Sequence, residues 1–278
     1  MRVLKFGGTS VANADNIRLV IAIITKKAEK EPLAVVVSAL SKVTDLLQLA
    51  AHKAANNDEN FREIVLEIEK KHLDTLKQLI PVSEQSALLS HIKRIINHLE
   101  TLLDGCFLLG ELSPRTADTI LSFGELLSSF IIPEALKQNL KSTNYKDSRE
   151  LIKTNATFGK ASVNFEVSNR LIQDYFATNT SKVVLLPGFI GATEDGITTT
   201  LGRGGSDYSA AILASALATE ELEIWTDVNG MYTANPKLVK QAQPIATISY
   251  QEAMELSHFG AKVLYPPTIQ QKKKKNIP

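Results

Sequence analysis

Strands alternating with helices predict an α/β protein built on a mainly parallel sheet covered on both faces. Three observations carry this reading. Residues 33–37 (LAVVV) are apolar from end to end, as a strand buried on both faces must be. The stretches between strand-like runs repeat their apolar residues at helical spacing. Polar, glycine-rich segments follow the strand-like runs, at the carboxyl ends where ligands gather in such sheets.

The chain has 278 residues, of which 44% are hydrophobic, ample for a large core. A net charge of +1 gives no global field to attract nucleic acid or an acidic membrane surface. Cys106 is the single cysteine, so no disulfide framework exists, in keeping with a reducing cytoplasm. Lys5 interrupts the apolar start, so no secretory signal is read there. The longest clean apolar run, 33–37, is far too short to span a bilayer.

A short apolar strand opens the chain and runs into Lys5 and the glycines that follow. Asn13 or Asp15 caps a helix in which Ile17, Val20, Ile21 and Ile24 share one face. After the strand at 33–37, residues 44–55 read as helix. Residues 60–103 form a long helical region interrupted near Pro81, with Leu66, Ile68, Leu73, Leu76 and Leu79 at core-like spacing. Residues 116–130 are a further helix. A strand at 183–186 ends in Pro187-Gly188, and Asp195-Gly196 marks a hairpin turn between 189–190 and 198–200. A helix of small residues covers about 206–219, and a strand covers 222–226.

The chemistry sits in the connecting loops. In KFGGTS, Lys5 adds a cation on a flexible stem, and Gly7 and Gly8 let backbone N–H groups approach an anion, with Thr9 and Ser10 following. Ser38 and Thr44 offer uncharged hydroxyls after the second strand. In GRGGSD, Arg203 can grip a carboxylate with two parallel hydrogen bonds. Gly205 and Ser206 open a helix whose unpaired N–H groups favour an anion, and Asp207 suits its first turn. The loop from Thr226 to Pro236 (TDVNGMYTANP) has the polar and aromatic groups to hold a purine and its ribose. Each segment, read alone, is also a turn or a capped helix. Glu125 lies in an otherwise apolar helix beside Phe123, Leu126 and Leu127, and a buried Glu there needs a cationic partner. Lys262 stands among small and apolar residues, a setting that a phosphate contact would explain.

The signatures of three other phosphate-binding classes are missing, which leaves a phosphoryl-transfer enzyme of another fold. No G-x-x-x-x-G-K-[ST] is present, Asp207 stands where a dinucleotide fingerprint needs its last glycine, and protein-kinase signatures are missing. The five histidines lie mostly on helices without metal-ligand clustering.

Five motifs together, KFGGTS (5–10), SFGE (122–125), GRGGSD (202–207), TDVNGMYTANP (226–236) and FGAKVLYP (259–266), closely resemble the aspartate kinases of the amino acid kinase family, in the family's order and across almost the whole chain. The resemblance implies a three-layer α/β/α sandwich on a mostly parallel sheet. Residues 1–270 would form the catalytic domain, with a substrate-side lobe to about 190 and a nucleotide-side lobe from 191. Residues 271–278, with the basic run at 272–275, would begin a linker to a C-terminal regulatory region. The implied reaction is phosphorylation of the side-chain carboxylate of L-aspartate by ATP with Mg2+. Lys5 would stabilise the transferring phosphoryl group and Asp207 would orient Lys5. Arg203 would clamp the substrate's α-carboxylate and Glu125 its α-ammonium, with Ser38, Thr44 and Ser206 lining that pocket. Gly7, Gly8, Thr9 and Gly205 would serve the phosphates, Thr226, Asp227 and Tyr232 the nucleoside, and Lys237 and Lys262 the nucleotide. Magnesium would be held mainly by phosphate oxygens and water. The family's T-x-D-P-R reads Thr233-Ala234-Asn235-Pro236-Lys237 here, losing a carboxylate and the guanidinium fork. A homo-oligomer in the cytoplasm, of the type fused to homoserine dehydrogenase, is the expected setting. Kinases of the same fold acting on glutamate, acetylglutamate, carbamate or a nucleotide are the alternatives, as is a non-catalytic amino-acid-sensing module.

Overall fold

The computed structural model describes residues 1–235, 238–258 and 277. Among these residues the centre is a five-stranded, parallel sheet in the order β3-β4-β2-β1-β7, formed by β1 (Arg2–Phe6), β2 (Leu33–Val37), β3 (Thr143–Tyr145), β4 (Val183–Pro187) and β7 (Leu222–Trp225). A small antiparallel hairpin, β5 (Ile190–Ala192) and β6 (Thr198–Thr200), turns at Gly196 as its Asp-Gly signal predicts.

Successive strand residues point to opposite faces, and two cores follow from that. Leu4, Phe6, Leu33, Val35, Val37, Val183 and Leu185 pack under α1 (Ala14–Ala28), α2 (Val43–Ala55), α3 (Phe61–Leu79), α4 (Val82–Leu109) and α5 (Pro114–Lys137). The alternate residues Val3, Ala34, Val36, Val184 and Leu186 pack under α6 (Ser148–Leu151), α7 (Phe165–Thr178) and α8 (Gly205–Ala216). Two helical layers on one sheet make the expected three-layer sandwich. A short helix, α9 (Tyr250–His258), follows β7 with its own small apolar cluster around Met231 and Ala253.

Most elements form where the sequence places them. The Asn13 side chain caps α1 by accepting from the Asn16 amide at 3.0 Å. Pro81 separates α3 from α4. One expectation fails: Leu66 is 58% exposed, because the buried stripe of α3 runs through Ile64, Val65, Ile68, His72 and Leu76 on the opposite side. Helix α5 is long and apolar enough to cross a bilayer by length and composition, yet most of it is buried as the core helix between α2, α4 and the sheet. Strand β3 and helices α6 and α7 are features that the sequence reading did not anticipate.

Because the sheet is parallel, the exits of β1, β2, β4 and β7 lie along one edge. Those of β1 and β2 lead to α1 and α2 on one face, whereas that of β4 leads through the hairpin to α8 on the other. A crevice opens between them, where ligands bind in doubly wound sheets.

Candidate active site

A cleft of about 750 Å³ occupies that edge. Lys5 reaches it from inside β1. It shares strand parity with Val3, so its side chain leaves the sheet on the α8 side. Asp207, in the first turn of α8, meets it there: Lys5 Nζ is 2.6 Å from Asp207 Oδ1, with side chains only 11% and 14% exposed. The helix start adds its own positive end to the same spot. Gly202 and Gly204 have φ of +75° and +68°, a left-handed backbone that glycine adopts without strain, and this bends the chain from the hairpin into α8. Ahead of Lys5, the chain turns at Gly7, whose amide donates to the Trp225 carbonyl at 3.1 Å and so closes the β1 exit against β7.

Glu125 enters from the opposite layer. Gly124 brings α5 close to the β2 exit, since a Cβ there would sit 2.8 Å from the Ala39 Cβ. Glu125 is then buried, with Oε1 accepting from the Ala39 amide at 3.2 Å. Its other oxygen, Oε2, has no hydrogen-bond partner among the described residues. Burial pushes its pKa up to about 8, against the smaller opposing effects of the Ala39 amide and the Lys5 charge. The cationic partner expected for a buried Glu is therefore absent as an ion pair among the described residues, and Lys5 acts on it only through its field. An ammonium group brought by a ligand would supply the missing partner.

The remaining groups fill in between. Ser38 and Thr44 face the cleft from the β2 exit and the first turn of α2, and the Ser128 hydroxyl fixes the Ser38 carbonyl at 2.8 Å. Arg203 stands exposed on the cleft rim without an ion pair among the described residues. Thr9, Gly8, Gly205, Ser206 and Thr226 also line the cleft. Asp227 lies just outside it and accepts from the Thr226 hydroxyl at 3.0 Å. Tyr232 does not line the cleft and pairs with Pro244 in an isolated β-bridge. Lys237 and Lys262 lie outside the described residues. The sequence therefore identified twelve groups that the fold brings to one cleft. It missed Phe189, Gly159 and Thr200 on the cleft wall, and the buried Asp118 behind them. Asp118 left one usable signal: it precedes Glu125 by seven residues, two helical turns on the same face.

Magnesium fits this donor set only as an ion brought by a ligand. No group of three metal-ligating side chains occurs among the described residues. The cleft's carboxylates are dispersed, with Asp207 engaged by Lys5, Glu125 buried and Asp45 at the start of α2.

The model of the amino acid kinase family matches residues 1–278, the whole chain. The chain is 35% identical over 277 residues to the bifunctional aspartokinase/homoserine dehydrogenase 1, chloroplastic, of Arabidopsis thaliana, covering 99% of this chain and 30% of that protein. It is 35% identical over 279 residues to lysine-sensitive aspartokinase 3 of Escherichia coli, covering 99% of this chain and 60% of that protein. Among solved structures, E. coli aspartokinase III in complex with aspartate and ADP, in the R-state, superposes with a TM-score of 0.91 at 34% identity, over 100% of this chain and 60% of that chain.

Proposed function

The chain belongs to the amino acid kinase family, and from that premise we propose that it is the catalytic part of an aspartate kinase, transferring the γ-phosphoryl group of ATP to the side-chain carboxylate of L-aspartate. The observation that carries this reading is the pairing of opposite needs in one cleft. Buried Glu125 Oε2 awaits a cation and exposed Arg203 an anion, while Lys5, already held by Asp207, faces the same cleft. The ammonium and carboxylate of a free amino acid meet the first two needs, and Lys5 is left for the phosphoryl group. The E. coli neighbour solved with aspartate and ADP supports the same pair of ligands.

In this reading Glu125 receives the α-ammonium and Arg203 clamps the α-carboxylate in two parallel bonds. Ser38, Thr44 and Ser206 line the space for the side chain. The β-carboxylate, ionised at neutral pH with a pKa of about 4, attacks the γ-phosphorus directly. One O–P bond forms as the bond to ADP breaks, and no proton moves, so no general base is needed. What the protein must do is hold two anions together and offset their charge. Lys5 does this at the reacting phosphoryl group, oriented by Asp207, with the amides of Gly7, Gly8 and Gly205 as further donors. Magnesium supplies charge neutralisation on the nucleotide phosphates. Thr226, Asp227, Tyr232, Lys237 and Lys262 are proposed to hold the nucleotide.

Residues 1–270 are proposed to act as the catalytic unit of a cytoplasmic homo-oligomer that carries further domains. A panel assay of ADP release tests the assignment, with L-aspartate, L-glutamate, N-acetylglutamate, carbamate and UMP as acceptors. Aspartate alone should stimulate release. Stimulation by another acceptor in its place would transfer the site to a sister kinase, and tight ATP binding without release on any acceptor would favour an amino-acid sensor.

A further inference from the structure

Asp118 is a buried carboxylate, 1% exposed, that the reaction above does not use. Among the described residues its two oxygens collect three donors and no cation. The Gly159 amide donates to both oxygens at 3.0 Å, the Thr200 amide to Oδ2 at 2.9 Å, and the Thr200 hydroxyl to Oδ1 at 2.8 Å. Hydrogen bonds to an ionised acceptor are about twice as strong as neutral ones, so this is a firm joint between α5 and the hairpin layer.

What the joint connects is informative. Asp118 and Glu125 are two helical turns apart on one face of α5. Thr200 ends β6, three residues before Arg203. The 159 loop reaches the same segment by a second route: the Ala161 amide donates to the Thr200 carbonyl at 2.9 Å, and the Gly159 carbonyl lies beside Gly202, where an added Cβ would be 3.2 Å from it. Thr200, Gly159, Gly202, Glu125 and Arg203 all line the cleft. One carboxylate thus sets the spacing between the helix that carries Glu125 and the loop that carries Arg203.

We propose that Asp118 is a positioning residue for the amino acid substrate, holding Glu125 and Arg203 at the separation of its α-ammonium and α-carboxylate. The inference rests on the aspartate kinase reading. Loss of the joint lets the Arg203 loop move relative to α5, so the clamp loosens while Lys5 and the nucleotide-facing groups stay in place.

The test is steady-state ADP release on the full chain, with aspartate and ATP varied separately and folding checked by circular dichroism. Asp118→Asn places an NH2 donor against the Thr200 and Gly159 donors. It should raise the KM for aspartate about tenfold or more and leave the KM for ATP within about threefold. In an Arg203→Ala background the same substitution should change the aspartate KM by less than about threefold, because the clamp is already gone. An equal rise in both KM values, or full additivity with Arg203→Ala, overturns the inference, since a merely structural role predicts both. If Asp118→Asn fails to fold, Thr200→Val removes one bond only. It should raise the aspartate KM about threefold, with Thr200→Ser restoring it, and an unchanged KM overturns the inference. Wild-type protein that turns over without aspartate dependence would sink the aspartate kinase reading itself. A normal aspartate response that no variant alters would sink only the role of Asp118.

Discussion

Lys5 Nζ lies 2.6 Å from Asp207 Oδ1, joining the carboxyl end of a core strand to the first turn of the helix packed over it. The pair is withdrawn from solvent yet borders the cleft, so the ammonium is held in place before any ligand arrives. Preorganised charge of this kind stabilises developing negative charge without reorganisation at the moment of reaction. Asp207→Asn keeps the shape and removes the anchor. Turnover should fall about hundredfold, with the KM for aspartate little changed. A fall in aspartate affinity without loss of turnover would show that Asp207 belongs to the amino acid pocket instead.

Glu125 makes substrate binding dependent on pH. Its carboxyl group in the free protein is pushed up to about 8 by burial, whereas an ammonium ligand needs the carboxylate. Below that pH, binding must release a proton. The aspartate KM should therefore fall by up to about tenfold per pH unit as pH rises toward 8, then level off. Without ligand the sign for stability is opposite. The folded pKa is above the unfolded one, so the contribution of Glu125 is greatest in acid and is lost as pH rises through about 8. Glu125→Gln should remove the KM slope and raise the melting temperature at pH 9. A KM slope that persists in Glu125→Gln would assign it to another group.

The positions of these two residues were legible in different degrees. Lys5 follows from strand parity and a glycine turn, which are local. Asp207 as its partner rested on a resemblance, because a strand-to-helix contact across 202 residues leaves no periodic trace. Burial of Glu125 could be read from its apolar neighbours, but its lack of an ion-pairing cation among the described residues could not, since that depends on where the β2 exit passes α5. Strand β3 has three residues, two of them exposed, and so offers no apolar run to detect. Leu66 misled because a leucine at helical spacing says nothing by itself about which stripe faces the core.

Close packing at the α8 start predicts an effect of a single methyl group. A Cβ on Gly188 would lie 2.6 Å from the Ser206 Cβ and 2.8 Å from the Ser206 Cα. Backbone is the obstacle, so Gly188→Ala must push α8 away from the β4 exit and pull Asp207 from Lys5. Stability should drop by about 1–3 kcal/mol, and turnover should fall with it. Gly196→Ala is the comparison: nothing lies near its Cβ, and only its φ of +81° opposes the change. It should cost about 1 kcal/mol and leave turnover intact. Equal activity loss in both variants would contradict the packing argument.

His72 is fully buried in α3, its Nδ1 2.6 Å from the Ile68 carbonyl and its Nε2 without a hydrogen-bond partner among the described residues. Burial lowers its pKa to about 4. The unfolded chain binds this proton first, so stability is lost as pH falls from about 6.5 to 4, by up to about 1.4 kcal/mol per pH unit. Denaturant titrations across this range should show the decline. His72→Leu should flatten it, and an unchanged decline in that variant would place the acid sensitivity elsewhere.

In the proposed reaction this cleft makes an acyl phosphate on the side chain of aspartate, with Lys5 at the reacting phosphoryl group. Trapping the product with hydroxylamine reads that bond directly, because an acyl phosphate yields a hydroxamate. Wild-type protein with ATP, Mg2+ and L-aspartate should form hydroxamate, and folded Lys5→Ala should form it at least about hundredfold more slowly. Hydroxamate formation at a near-normal rate by Lys5→Ala would remove Lys5 from the reacting centre, and none from aspartate while another acceptor drives ADP release would rule out aspartate as the substrate.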